Sequence, residues 1–220
     1  MPHFVLKTSL VAPFPKGNKS IMFGMGCFWG AERLFWNLEG VHTTAVGYAG
    51  GYVENPTYQH VCSGSTNHSE VVFINYNPNL ISFDLLLKIF LENHDPTQGN
   101  RQGNDSGSQY RSAIYTVSKD HFNKAIESKN SYQKELQNYG FGQITTEISN
   151  DVTFFFAEDY HQQYLAKPGS RPYCSAMPTK VTFKDFKGSN FKLNEKIWSH
   201  YNWDISHCIL RGENTPIHSN

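Results

Sequence analysis

The succession of predicted elements assigns this chain to the α+β class, as a ferredoxin-like split βαβ sandwich with a mixed sheet and an extended C-terminal tail. Three observations carry the assignment. The first six periodic segments run strand, helix, strand, strand, helix, strand. Glycine or serine punctuates their ends. Periodicity fades after Pro168, which leaves the remainder as tail.

Each element has its own reason. Ser20 to Met25 ("SIMFGM") is a short apolar run that reads as a strand, and Gly24 and Gly26 permit a tight turn behind it. Phe28, Ala31, Leu34, Phe35 and Leu38 then recur at helical spacing, with Gly40 as the stop. Thr43 to Tyr48 is the second strand, closed by Gly50-Gly51, and Tyr52 to Ser69 is irregular. Glu70 to Tyr76 ("EVVFINY") is β-branched and aromatic, hence a strand. Ser82 caps a helix that reaches about Glu92. "NHDPTQGNRQGNDSGSQ" is a polar loop of a length that is usually functional or disordered. Tyr110 to Val117 is a strand, and Ser118 caps a long helix that ends near Tyr139 and Gly140. Ile144 to Ile148 and Val152 to Phe156 read as two further strands, and "AEDYHQQYLAK" as a short helix.

Composition bounds the function. Of 220 residues, 39% are hydrophobic, enough for a substantial core. Lys+Arg and Asp+Glu are both 19, which argues against a nucleic acid held through phosphates and against a polybasic membrane surface. The longest apolar stretch, Leu85 to Leu91, is interrupted by Lys88 and falls far short of a membrane span of roughly 18 residues. The first residues read as neither signal nor transit peptide, so a cytoplasmic chain is expected. Cys27, Cys62, Cys174 and Cys208 are widely spaced without a C-x-x-C pair, so they do not form a disulfide scaffold.

Cys27 lies in "GMGCFWG", where the first strand meets the first helix. Free N–H groups at a helix start favour a thiolate and are expected to lower the thiol pKa. The flanking glycines leave room for a substrate, and Phe28 and Trp29 wall a small apolar pocket. The alternative is a small core cysteine beside two packing aromatics. Glu70, judged without its context, is an ordinary exposed glutamate at a strand start.

"GCFWG" at Gly26 to Gly30 resembles the active-site signature of the A-type peptide methionine sulfoxide reductases. "GYAGG" at Gly47, "NPTYQHVCSGSTNHSEVV" at Asn55, "QGNDSGSQYRSAIY" at Gln102 and "AEDYHQQYL" at Ala157 resemble further blocks of that family, in the family's order. The resemblance extends from about Ile21 to Tyr173. It implies that a thiolate attacks a methionine S-sulfoxide, free or peptide-bound, and that the resulting sulfenic acid condenses with a second thiol. It implies Cys27 as the nucleophile and Glu70 as the proton donor. It further implies that Tyr58 and Tyr110 bond the sulfoxide oxygen, that Asp105 organises the site, and that Phe28 and Trp29 hold the methyl group. The resemblance also implies Cys174, in "RPYCSAMP", as the resolving thiol, although the family's flanking glycines are absent. Cys208 is open between relay, substitute and bystander, and Cys62 reads as a small packed residue. The resemblance implies no metal or organic cofactor and an external dithiol, thioredoxin, as the recycling reductant; a monomer is the default expectation. The chain divides into an N-terminal strap (1–19), a catalytic domain (20–167) and a tail (168–220) that carries the resolving cysteines.

Two other readings compete. A cysteine hydrolase would pair Cys27 with a base among His42, His60, His68, His94 and His161. A metal-stabilised binding module would use His60, Cys62 and His68, at spacings unlike those of structural zinc sites.

Overall fold

The computed structural model describes residues 2–171, 173–184, 186, 188 and 191–194. In chain order the elements are β1 (Lys19–Met25), α1 (Phe28–Trp36), β2 (Val41–Ala49), α2 (Tyr58–Cys62), β3 (Ser69–Tyr76), α3 (Phe83–Glu92), β4 (Arg101–Gln102), β5 (Asp105–Ser106), β6 (Ser112–Thr116), α4 (Lys119–Asn138), β7 (Glu147–Asn150) and β8 (Phe155–Phe156). Two 3-10 turns, Ser108–Tyr110 and Tyr164–Ala166, follow β5 and β8.

The main sheet has six strands in the order β7-β6-β1-β3-β2-β8. Its centre, β6-β1-β3-β2, is antiparallel throughout and has the split βαβ arrangement expected from the element order. β7 joins β6 in parallel and makes the sheet mixed. One face is covered by helices. Phe23 of β1 stacks on Phe90 of α3 at 4.8 Å and lies 5.4 Å from Phe35 of α1, and all three are fully buried. Burying a side chain of that size contributes roughly 1.5–3 kcal/mol. The other face carries Met22, Val71, Ala113 and Tyr115, packed against Phe73, Val152 and Phe154.

Several local expectations are corrected. Residues 144–146 are not in a strand: the Ile144 N–H donates to Gln133 Oε1 at 2.6 Å and the Thr145 N–H to the Pro96 carbonyl at 2.8 Å. Pairing therefore begins only at Glu147. Val152 to Phe154 pack on the sheet face, leaving β8 two residues long. The irregular stretch after β2 contains α2, capped by Thr57. The long polar loop is ordered around the β4–β5 hairpin.

The tail is extended but fastened. The Met177 N–H donates to Gln102 Oε1 at 3.0 Å, Tyr132 Oη to the Val181 carbonyl at 2.8 Å, and the Phe183 N–H to Glu92 Oε1 at 2.6 Å. Glu92 also pairs with the buried Lys88. Further along, the Asn194 N–H donates to the Asn37 carbonyl at 2.8 Å.

Candidate active site

β1 delivers the chain to Gly26, whose φ of +85° turns it sharply into α1. A Cβ at Gly26 would lie 2.6 Å from Gln102 Cβ, so both the conformation and the space exclude a side chain. Cys27 is the N-cap of α1; its sulfur makes no cap hydrogen bond, but the nearby N–H groups of Trp29 and Gly30 act to lower its pKa. The next free donor, the Phe28 N–H, bonds Glu70 Oε2 at 3.1 Å. One helix start thus serves two titratable groups. Glu70 shares the helix-covered face of β3 with Val72 and pairs across to Tyr48 of β2. It is 2% exposed, contrary to its isolated reading as a surface glutamate.

The expected depression of the Cys27 pKa is corrected. The thiol is pushed well above its ordinary value by burial first and by the Glu70 charge second, and these outweigh the lowering effect of the Trp29 and Gly30 N–H groups. Burial also raises Glu70, to about 8; the Phe28 N–H opposes the shift and the Asp105 charge adds to it. Near neutral pH the resting pair is therefore a thiol beside a carboxylic acid, holding two protons.

Cys27, Phe28, Trp29, Tyr58, Glu70, Asp105 and Tyr110 all line one cleft of about 290 Å³. Tyr164, Arg171 and Tyr173 complete it. Sequence reasoning assigned no role to these three; the only signals were Tyr164 inside the "AEDYHQQYL" block and Tyr173 beside Cys174. Trp29 stacks on Tyr164 with centroids 4.0 Å apart and the rings 20° from parallel. Tyr173 donates to Asp105 Oδ1 at 2.5 Å. Cys62 is exposed rather than packed. Cys174 is disulfide-bonded, whereas Cys27 and Cys62 are free thiols. Cys208 lies outside the described residues.

The segment after β8 supports this wall, and it is not the short helix expected. Its Gln162 amide clasps β2: Oε1 accepts the Val46 N–H at 2.9 Å and Nε2 donates to the Val46 carbonyl at 2.8 Å. Gln163 is left-handed, with φ +48°. Its N–H and Nε2 donate to the two oxygens of buried Glu32 at 2.8 and 2.6 Å. Glu32 Oε1 also accepts the Thr44 hydroxyl at 3.0 Å, and Thr44 in turn contacts His3 Nε2 at 2.8 Å. The N-terminal strap is thereby tied to the back of the cleft. At the front, the Glu158 carboxylate accepts the Tyr58 N–H at 2.8 Å and the Tyr48 hydroxyl at 2.9 Å.

Among the described residues none of the five candidate histidines lines the Cys27 cleft. His94 spends its nitrogens on the Phe90 carbonyl and Ser112 Oγ, at 2.6 and 2.8 Å. His161 accepts Trp29 Nε1–H at 3.1 Å, and burial lowers its pKa to about 4, so it is neutral. Among the described residues no group of three or more His, Cys, Asp or Glu side chains is placed to hold a metal, and no helix is long and apolar enough to cross a membrane.

A half-buried thiol beside a protonated carboxyl, walled by aromatic rings, defines a thiol oxidoreductase site. The chain belongs to the peptide methionine sulfoxide reductase family, whose family model matches residues 19–194, and it is an oxidoreductase acting on methionine sulfoxide. It is 58% identical over 180 residues to the mitochondrial peptide methionine sulfoxide reductase of Bos taurus, covering 82% of this chain and 77% of the relative. It is 56% identical over 179 residues to peptide methionine sulfoxide reductase MsrA 1 of Synechocystis, covering 81% and 80%. Among solved structures, methionine sulfoxide reductase A of Corynebacterium diphtheriae superposes with a TM-score of 0.74 at 47% identity, covering 79% of this chain and 84% of that one.

Proposed function

We propose that Cys27 and Glu70 reduce the S epimer of methionine sulfoxide by exchanging two protons while sulfur takes the oxygen. The observation that carries this reading is that Cys27 and Glu70 occupy one cleft with both groups protonated at rest. The sulfoxide methyl lies against Phe28 and Trp29, and its oxygen faces Glu70, Tyr58 and Tyr110. Glu70 gives its proton to that oxygen as negative charge develops there. The Cys27 sulfur attacks the sulfoxide sulfur, and its own proton passes to Glu70. In the resulting adduct the hydroxyl passes to the Cys27 sulfur as the substrate S–O bond and the new S–S bond break; methionine leaves and Cys27 holds the oxygen as a sulfenic acid, so that atoms and protons balance. Asp105 holds Tyr173 and with it the cleft rim.

The Cys174 thiol then attacks the Cys27 sulfenic acid, forming a disulfide and releasing water. Cys208 relays the bond away from Cys27, and thioredoxin reduces it by thiol exchange. Support for the relay is the pairing state: Cys174 is oxidised while Cys27 is again a free thiol. On this reading residues 20–167 carry the chemistry and 168–220 the electron relay. The enzyme works as a monomer on free or protein-bound sulfoxide in the cytoplasm, whose reducing conditions suit its two free thiols.

A single-turnover experiment tests this. Reduced protein is mixed with one equivalent of S-sulfoxide without external reductant; released methionine is counted and the new disulfide is mapped by mass spectrometry. About one methionine per chain is expected, with none from Cys27→Ser. Cys174→Ser is expected to release methionine yet leave Cys27 as sulfenic acid. No methionine from the unmodified protein would end the reductase mechanism.

A further inference from the structure

We propose that Arg171 forms an anion subsite at the rim of the cleft, so that preferred substrates carry a carboxylate beside the oxidised side chain. This rests on the cleft being the sulfoxide site proposed above. Arg171 lines the same cleft as Cys27 and Glu70, and its side chain is exposed. Among the described residues its guanidinium has neither an ion pair nor a side-chain hydrogen bond, whereas nearby Lys167 spends its ammonium on the Asp159 carbonyl at 2.6 Å. Its place is nevertheless fixed. The Arg171 N–H donates to Tyr164 Oη at 3.1 Å, and Tyr164 is the ring stacked on Trp29 at 4.0 Å. The free cation is therefore carried by the wall that holds the substrate's methyl group.

Among the described residues, Arg171 is the only cationic side chain lining the cleft. Of the two carboxyls there, Glu70 is neutral near pH 7 and Asp105 is occupied by Tyr173. A methionine sulfoxide side chain is short, so with its sulfur at Cys27 the substrate backbone sits at the rim. A guanidinium fork there suits a carboxylate, bound through two parallel N–H donors. Two sources supply that carboxylate: the α-carboxylate of free or C-terminal methionine sulfoxide, and an aspartate or glutamate next to it within a protein.

The test compares KM and kcat for N-acetylmethionine S-sulfoxide with those for its neutral methylamide. Amidated peptides with Asp or Asn after the sulfoxide form the second pair. The unmodified protein, Arg171→Gln and Arg171→Lys are assayed at low and high salt. A rim ion pair of this exposure predicts a KM about three- to fivefold lower for the anionic member of a pair, shrinking with salt. The ratio is expected to fall to about one in Arg171→Gln and to be partly kept in Arg171→Lys. A preference confined to one pair identifies the source and supports the subsite. Calorimetric binding of the products, N-acetylmethionine and its methylamide, reads the subsite without turnover. A carboxylate preference in binding with no turnover would uphold the subsite and overturn the reductase mechanism. Equal KM values in the unmodified protein, or a preference that survives Arg171→Gln, would overturn the subsite and leave that mechanism standing.

Discussion

Two buried glutamates, one at the start of α1 and one within it, are held in opposite ways. Glu70, at the start of α1, receives one backbone donor, the Phe28 N–H. Glu32, within α1, receives three: the Gln163 N–H, Gln163 Nε2 and the Thr44 hydroxyl. Burial raises both, Glu70 to about 8 and Glu32 to about 7. The difference follows from the donors, because each hydrogen bond to the charged form offsets part of the desolvation penalty. A carboxyl left nearly without donors keeps a proton it can give away. One supplied with several becomes an anchor: Glu32 fixes the left-handed Gln163 and through it the Tyr164 ring against Trp29.

The comparison breaks most visibly at Glu70. Glu70→Gln removes the dissociable proton and keeps the shape, and steady-state assays are expected to show kcat reduced about 10²–10⁴-fold with little loss of folding stability. Glu32→Ala does the reverse. It strands three donors in the interior, and chemical denaturation is expected to show a loss of about 2–4 kcal/mol with a much smaller change in kcat than Glu70→Gln.

pH separates the two carboxyls more finely. Each folded-state pKa lies above the ordinary 4.5, so the native protein keeps protons that the unfolded chain has released. Their contribution to stability therefore falls as pH rises from about 4.5, ending near 7 for Glu32 and near 8 for Glu70. Denaturation midpoints of Glu70→Gln are expected to lose the part of that slope above pH 7, and those of Glu32→Gln to keep it. Turnover of the unmodified enzyme should decline as pH rises through about 8, where Glu70 gives up its proton. The smallest effect is expected at the third carboxyl, Asp105. Tyr173→Phe deletes its one hydroxyl partner, and a net hydrogen bond of about 1 kcal/mol corresponds to roughly a fivefold change in kcat/KM.

What was legible in the sequence is what local spacing controls. β1, β3 and the three longer helices lie within a few residues of their expected places. The predicted caps Ser82 and Ser118 accept the Leu85 and His121 N–H groups at 3.1 and 3.2 Å. The signature blocks converge on one cleft for the same reason: strand ends and helix starts that are adjacent in the split βαβ order are adjacent in space. The segment after β8 was misread because its shape is set by bonds to residues 116 and 131 positions away, Val46 and Glu32. Apolar periodicity carries no trace of such partners. The shift at Cys27 was misread in sign because spacing reveals the helix N–H groups but not the burial that outweighs them.

The fastening of the tail has a chemical consequence. Cys174 lies on a short span tied at both ends, by the Arg171 N–H to Tyr164 and by the Met177 N–H to Gln102. On the roles proposed for Cys27 and Cys174, so short a tether keeps the second thiol at high effective concentration near the first, since little chain entropy is lost in closing the loop. A sulfenic acid is also the branch point to irreversible sulfinic acid. On those proposed roles the fastened tail is a safeguard during oxidant bursts, shortening the interval in which the enzyme that repairs oxidised methionine is itself open to permanent oxidation.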